Sequence, residues 1–231
     1  MNAMHIPFAY EQDLCDVLAG FLPRLVALER QSFQATYVRR AVGQVIPDLL
    51  SISGPRNPVP LRMRGLSNLD AAIVSLLLIG RPLQPRTIAD RLYAGLHQVQ
   101  SRLNKLSSSG VIVTNPTGSF VMAPSIFQDG FHVVAVEAKL SRWREALAQA
   151  VTYRAFANRV FVALPEAVVY SKTGLLAEAR HAKVGVIAVN PDCAEVTQES
   201  GCTAVRSPDW VWLLSRTVGL PRSGDFVTST C

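Results

Sequence analysis

Glu137 and Lys139 are two charges in an otherwise apolar run, "VVAVEAKLSRW", residues 133 to 143. Alternate residues of a strand share a face, so both project one way while Ala138 points the other. A carboxylate and an ammonium on one face can coordinate a cation and orient an anionic substrate. They can equally form a plain ion pair at the end of a strand. Asp48 raises a related question, because it follows Pro47 in "QVIPDLLS", read as a strand. A buried acid there needs a partner. Downstream, Gln149 and Tyr153 are spaced i, i+4, which puts them on one face of the helix that follows Lys139. Glu11 lies near the start of the first helix, beside Asp13 and Asp16. Acids in that position also suit the solvated side of an amphipathic helix.

These residues need elements to hold them. Residues 9 to 22 place Leu14, Val17, Leu18, Phe21 and Leu22 at helical spacing, with Pro23 near the end. Residues 33 to 52 are β-branched and aromatic around Gly43, which predicts two strands joined by a turn. Residues 53 to 65 are dense in Pro, Gly and Arg and read as a linker. Ser67 is an N-cap candidate for a helix that closes at Gly80. A short helix follows, with Ile88, Ala89 and Leu92 facing inward and a turn permitted by Gly95. A longer helix carries Val99, Leu103 and Leu106 on one stripe and ends at Gly110. A hairpin then turns at Asn115-Pro116-Thr117-Gly118. From residue 131 the pattern predicts strand 131–138, helix 141–157, strand 159–164, helix 172–182, strand 184–189, a short strand at 194–198 and a helix at 208–218. Continuous apolar strands alternating with helices imply an α/β fold, a sheet covered by helices.

Pro47-Asp48, Glu137-Ala138-Lys139 and "QAVTY", Gln149 to Tyr153, together resemble the PD-(D/E)XK, or restriction-endonuclease-like, nuclease superfamily. The last motif matches the QxxxY element of its RecB-like branch. The resemblance covers about residues 9 to 56 and 131 to 200. Residues 64 to 124 resemble a winged helix-turn-helix. Asp48 and Glu137 lie 89 positions apart, and an insert that folds on itself accounts for the gap, since loop-closure entropy grows only with the logarithm of length. The expected organisation is a nuclease core from 1–63 and 126–231, a central mixed sheet flanked by helices, with a winged helix inserted at 64–125.

The resemblance implies a deoxyribonuclease dependent on Mg²⁺ or Mn²⁺. Asp48 and Glu137 would hold the ion with the Ala138 carbonyl, Glu11 would bind it directly or through water, and Lys139 would position the attacking water. Gln149 and Tyr153 would orient the site. In the insert, Arg86, Thr87, His97, Gln98, Ser101, Arg102 and Lys105 would face DNA, with Arg142 along the path to the core. Each is also compatible with an ordinary solvated helix face. Cutting both strands of a duplex calls for two sites, so a homodimer is expected by analogy. The alternatives are a non-catalytic DNA-binding regulator or complex subunit on a nuclease-like scaffold, and a nuclease directed at RNA.

Composition narrows the field without deciding it. A net charge of +6 with 17% charged residues makes a polyanion a reasonable partner. The four cysteines form no CxxC pair, and the four histidines show no metal-ligand spacing. The stretch 71–80 is half the roughly 20 residues needed to span a bilayer, and the first residues lack a signal-peptide pattern. No membrane association and a cytoplasmic location are expected.

Overall fold

The structure, a computed structural model, describes residues 7–25, 33–54, 61–124 and 131–217. They divide into two compact units. The first contains 7–25, 33–54 and 131–205; the second contains 61–124 and 206–217.

In the first unit, helix α1 (Glu11–Leu25) precedes strands β1 (Phe33–Val38) and β2 (Leu49–Gly54). The second unit's chain then intervenes. It consists of a 3-10 turn and helices α2 (Asn68–Leu77), α3 (Pro85–Leu92) and α4 (Leu96–Ser108), followed by strands β3 (Ile112–Thr114) and β4 (Phe120–Met122). The first unit resumes with β5 (His132–Ala138), α5 (Trp143–Thr152), β6 (Arg159–Pro165), α6 (Glu166–Ser171), α7 (Leu175–His181), β7 (Gly185–Val189) and β8 (Ala194–Gln198). Helix α8 (Pro208–Thr217) belongs to the second unit, where it packs on α2. This corrects its expected place in the core. Its buried Trp210, Val211, Leu213 and Leu214 supply apolar surface that the small second unit needs.

The first unit is a mixed six-stranded sheet in the order β1-β2-β5-β6-β7-β8. The three central strands run parallel, and the remaining pairs are antiparallel. β5, β6 and β7 are almost wholly buried, which is why their sequences are near-continuous Val, Ile, Ala and Phe. Val134, Val136 and Ala138 face the α1 core of Leu14, Cys15, Leu18 and Leu22. By alternation Glu137 points to the other face, toward α5. Helix α1 runs through Pro23 to Leu25, past the expected end. The expected helix at 172–182 is shorter, and α6 precedes it across Gly174, held at φ +93°.

The second unit is three helices, a two-stranded hairpin and α8. Ser67 caps α2 in a reciprocal capping box with Asp70. Arg102 reaches this box from α4. Its Nε donates to Asp70 Oδ1 at 2.6 Å and its Nη2 to the Ser67 hydroxyl at 2.9 Å, with a further contact to Asp70 Oδ2. Its guanidinium is thereby engaged inside the unit by Asp70 and Ser67. The expected turn at Gly95 also differs: the left-handed residue is Tyr93, at φ +50°, while Gly95 has φ −63° and caps α4. Val99, Leu103 and Leu106 are buried as the apolar stripe required.

Asp70 is only 2% exposed, so its charge depends on Arg102. Burial raises its carboxyl pKa, but the Arg102 hydrogen bond and those from Ser67 more than offset this and hold it below the ordinary value. Arg102→Ala is expected to destabilise the protein by roughly 3 kcal/mol in urea melts. A depressed folded pKa contributes stability above about pH 4 that is lost as pH falls, so Asp70→Asn is expected to flatten the acid side of the stability profile.

Candidate active site

The β2–β5 ladder ends with Leu49 opposite Val136. One step further, the antiparallel register brings Asp48 opposite Glu137. Asp48 therefore sits just before β2, and not within a strand as its sequence context predicts. Its Oδ2 accepts the Ala138 amide hydrogen at 2.9 Å, so the carboxylate closes the end of the sheet. Oδ1 lies 3.9 Å from Arg39 Nε. Arg39 is held at φ +48°, and its amide donates to the Asp48 carbonyl at 2.9 Å.

Glu137 is 3% exposed and both its oxygens have partners. Oε1 takes Lys139 Nζ at 2.8 Å, and Oε2 accepts the Tyr153 hydroxyl at 2.5 Å. Lys139, one residue past β5, is itself 8% exposed and lies 3.4 Å from Glu11 Oε2 at the head of α1. Four residues from three distant stretches thus converge: Glu11, Glu137, Lys139 and Tyr153, with Asp48 opposite. Burial raises the Glu137 pKa; the Lys139 and Tyr153 hydrogen bonds pull it back, and the Asp48 charge pushes it up. For Lys139, burial alone lowers the pKa, but the bond to Glu137 and the surrounding carboxylates raise it overall, so the ammonium stays charged. Burial and the Glu137 bond raise the Tyr153 phenol, which remains a hydrogen-bond donor.

Gln149 is not brought to this cluster. The buried stripe of α5 runs through Trp143, Ala146, Leu147 and Ala150. The helix then tightens into a 3-10 turn at Tyr153–Ala155. Tyr153 is buried and reaches Glu137, whereas Gln149 is exposed, and no described hydrogen bond links its side chain to the cluster. Arg142, at the start of α5, is exposed and paired with Glu145 at 2.9 Å. A solvated pair of that kind contributes little. The Ala138 amide donates to Asp48.

Among the remaining expected residues, Arg86, His97, Gln98, Ser101 and Lys105 are exposed on the second unit and Thr87 is half-buried. Sequence reasoning missed Arg39 and Cys15. The Arg39 signal lay in the hairpin register, which sets Arg39 opposite Asp48. Cys15 is buried near Asp48, and burial together with that charge pushes its thiol up to about 12. Among the described residues, no three His, Cys, Asp or Glu side chains form a ready metal cage. The hard-oxygen donors available are Asp48 and Glu137, and Mg²⁺ is often held by only one or two carboxylates.

Compared with known proteins, the chain matches no family model and no curated protein. Among solved structures it is similar to a protein of unknown function from Silicibacter pomeroyi, at 21% identity and a TM-score of 0.27. The match covers 36% of this chain and 52% of that one. The class these observations establish is a mixed α/β sheet protein. Among the described residues no helix is long and apolar enough to cross a membrane.

Removing Lys139 would leave Glu137 buried without its cation. Lys139→Ala is expected to cost roughly 3 kcal/mol at pH 8. Because the folded Glu137 pKa is raised, its protonated form is favoured in the fold, and stability falls as pH rises through that value. The gap between wild type and variant is therefore expected to narrow by pH 5, measured as urea midpoints at both pH values.

Proposed function

We propose that the chain is a metal-dependent deoxyribonuclease of the PD-(D/E)XK type, with the second unit acting as a winged helix that binds DNA. The observation that carries this reading is the register that sets Asp48 opposite Glu137, with Lys139 bonded to the latter. Two carboxylates and an ammonium at a strand end suit a phosphodiester: acids for a hard cation, an amine for the phosphate's charge. Three helices followed by a hairpin, on a unit rich in exposed Arg and Lys, suit a DNA-binding module.

Within this reading Asp48 and Glu137 hold Mg²⁺ or Mn²⁺, with Glu11 nearby. A bound ion would stabilise negative charge building on the phosphate. Tyr153 fixes one Glu137 oxygen and so fixes the direction of the other. Lys139 is available to orient a water and to balance charge on the phosphate once its bond to Glu137 opens. The Ala138 amide holds Asp48 in place.

One observation favours a second reading, a DNA-binding subunit whose core is only a scaffold. Both Glu137 oxygens are already satisfied by protein groups, as in a purely structural cluster. Calorimetry with Mn²⁺ separates the two. The nuclease reading expects binding that Asp48→Asn and Glu137→Gln abolish; no heat with the wild type supports the scaffold.

Cleavage itself is the direct test. With DNA and Mg²⁺ or Mn²⁺, the wild type is expected to cut, and Glu137→Ala and Lys139→Ala are expected to slow cutting by about 100-fold or more. DNA left intact by the wild type across single-stranded, duplex and branched substrates rejects the enzyme. Cleavage that survives both substitutions rejects the site.

A further inference from the structure

Tyr93 is 99% exposed and is held in the left-handed region at φ +50°. The conformation closes α3: the Ala94 amide donates to the Ala89 carbonyl at 3.0 Å, bridging over Tyr93. Glycine is the usual residue at such a position, since a Cβ there is strained. The chain instead places a large aromatic ring where it packs on nothing. Three residues later Leu96, the first residue of α4, is 46% exposed. Two apolar side chains therefore stand at the head of the helix whose outer face carries exposed His97, Gln98, Ser101 and Lys105.

The surroundings specify what would cover them. Over residues 61–124 and 206–217 the second unit carries nine Lys and Arg against three Asp and Glu, a net +6. Arg86 and Arg91 of α3 are exposed. Such a field draws a polyanion, and cations serve its phosphates. The face of an exposed ring and an isobutyl group do not bind phosphates; they suit the flat face of a base. In a fully paired duplex those faces are stacked on one another and only edges show in the grooves. A base face is open only at a single-stranded stretch, a gap or an end, where aromatic side chains stack readily.

We propose that Tyr93 stacks on an unpaired base, with Leu96 three residues along as a second exposed apolar group, so that nucleic acid with an opened segment is the preferred ligand of the second unit. This rests on the nucleic-acid reading above and adds to it a strand preference and a residue that sets it.

The test uses the full chain in EDTA, so that binding is read without cleavage, with three labelled DNAs: a blunt duplex, a gapped duplex and a single strand. Wild type is expected to bind the gapped duplex more tightly than the blunt one by fluorescence anisotropy. Tyr93→Gly is expected to lose about 5- to 100-fold on gapped and single-stranded DNA with little change on the blunt duplex. Tyr93→Trp is expected to retain the preference. Tyr93→Gly is also expected to melt about 2–4 °C higher, because glycine relieves the left-handed strain, so lost binding is not lost folding. Unchanged affinity of Tyr93→Gly for gapped DNA overturns the proposal. An equal loss on all three DNAs overturns the stacking role while leaving DNA binding intact. Wild type that binds none of them, with Tyr93→Gly altering self-association in sedimentation, overturns both and assigns the tip to protein contact.

Discussion

A carboxylate that sits 3% exposed at the end of a central strand can stay charged only if its neighbours replace the water it has lost. Glu137 has two such replacements, the Lys139 ammonium and the Tyr153 hydroxyl, one on each oxygen. Much of the first unit's local geometry follows from that need. Lys139 must leave the strand on the same side as Glu137, the end of α5 must place Tyr153 against Glu137, and α1 must bring Glu11 within reach of the lysine. Asp48 adds a second negative charge opposite, and its bond to the Ala138 amide keeps that charge from drifting away. The cluster is thus held under electrostatic tension, with more acid than base in a small volume. A cation would relieve that tension.

The sequence disclosed the parts of this arrangement that depend on period. Apolar runs at 133–138, 160–164 and 185–189 could only be covered strands, and the pairing of Glu137 with Lys139 follows from alternation alone. The stripe Val99, Leu103, Leu106 read correctly for the same reason. What escaped were features decided by tertiary contact. Helical spacing put Gln149 beside Tyr153, but only Tyr153 is buried against Glu137, while Gln149 is exposed. The turn after α3 looked like the work of Gly95, yet the strained position fell to Tyr93, against the usual preference. Helix α8 carries a clear apolar face, but a face does not say which unit it will cover.

Arginine illustrates how far residue type falls short of role. Arg102 and Lys105 both lie on α4, and both suit a nucleic-acid surface by type. Arg102 is drawn inward by a nearly buried Asp70, whose charge its planar fork satisfies with several hydrogen bonds at once. Lys105 remains exposed. The difference was written in Asp70, 32 positions away, and became visible only when α2 and α4 packed together. Arg142, Arg144 and Arg159 show a third use, each paired with a glutamate, and Arg144 also lies over the Trp143 ring.

The path of the chain through the two units has a consequence for how the protein is made. Among the described residues it enters the first unit, leaves for the second, returns to the first and then contributes α8 to the second. The bond between Asp48 and Ala138 spans 90 positions, so the first unit cannot close its sheet around the site until the intervening unit has emerged. The second unit in turn lacks α8 until residue 217 has been added. The first unit's sheet is complete once β8 has been made, while the second unit must still wait for α8. Domains usually fold one after another from the N-terminus. Here the growing chain must carry β1, β2 and an unmatched Asp48 carboxylate until β5 is made, and then an incomplete second unit until α8 is made.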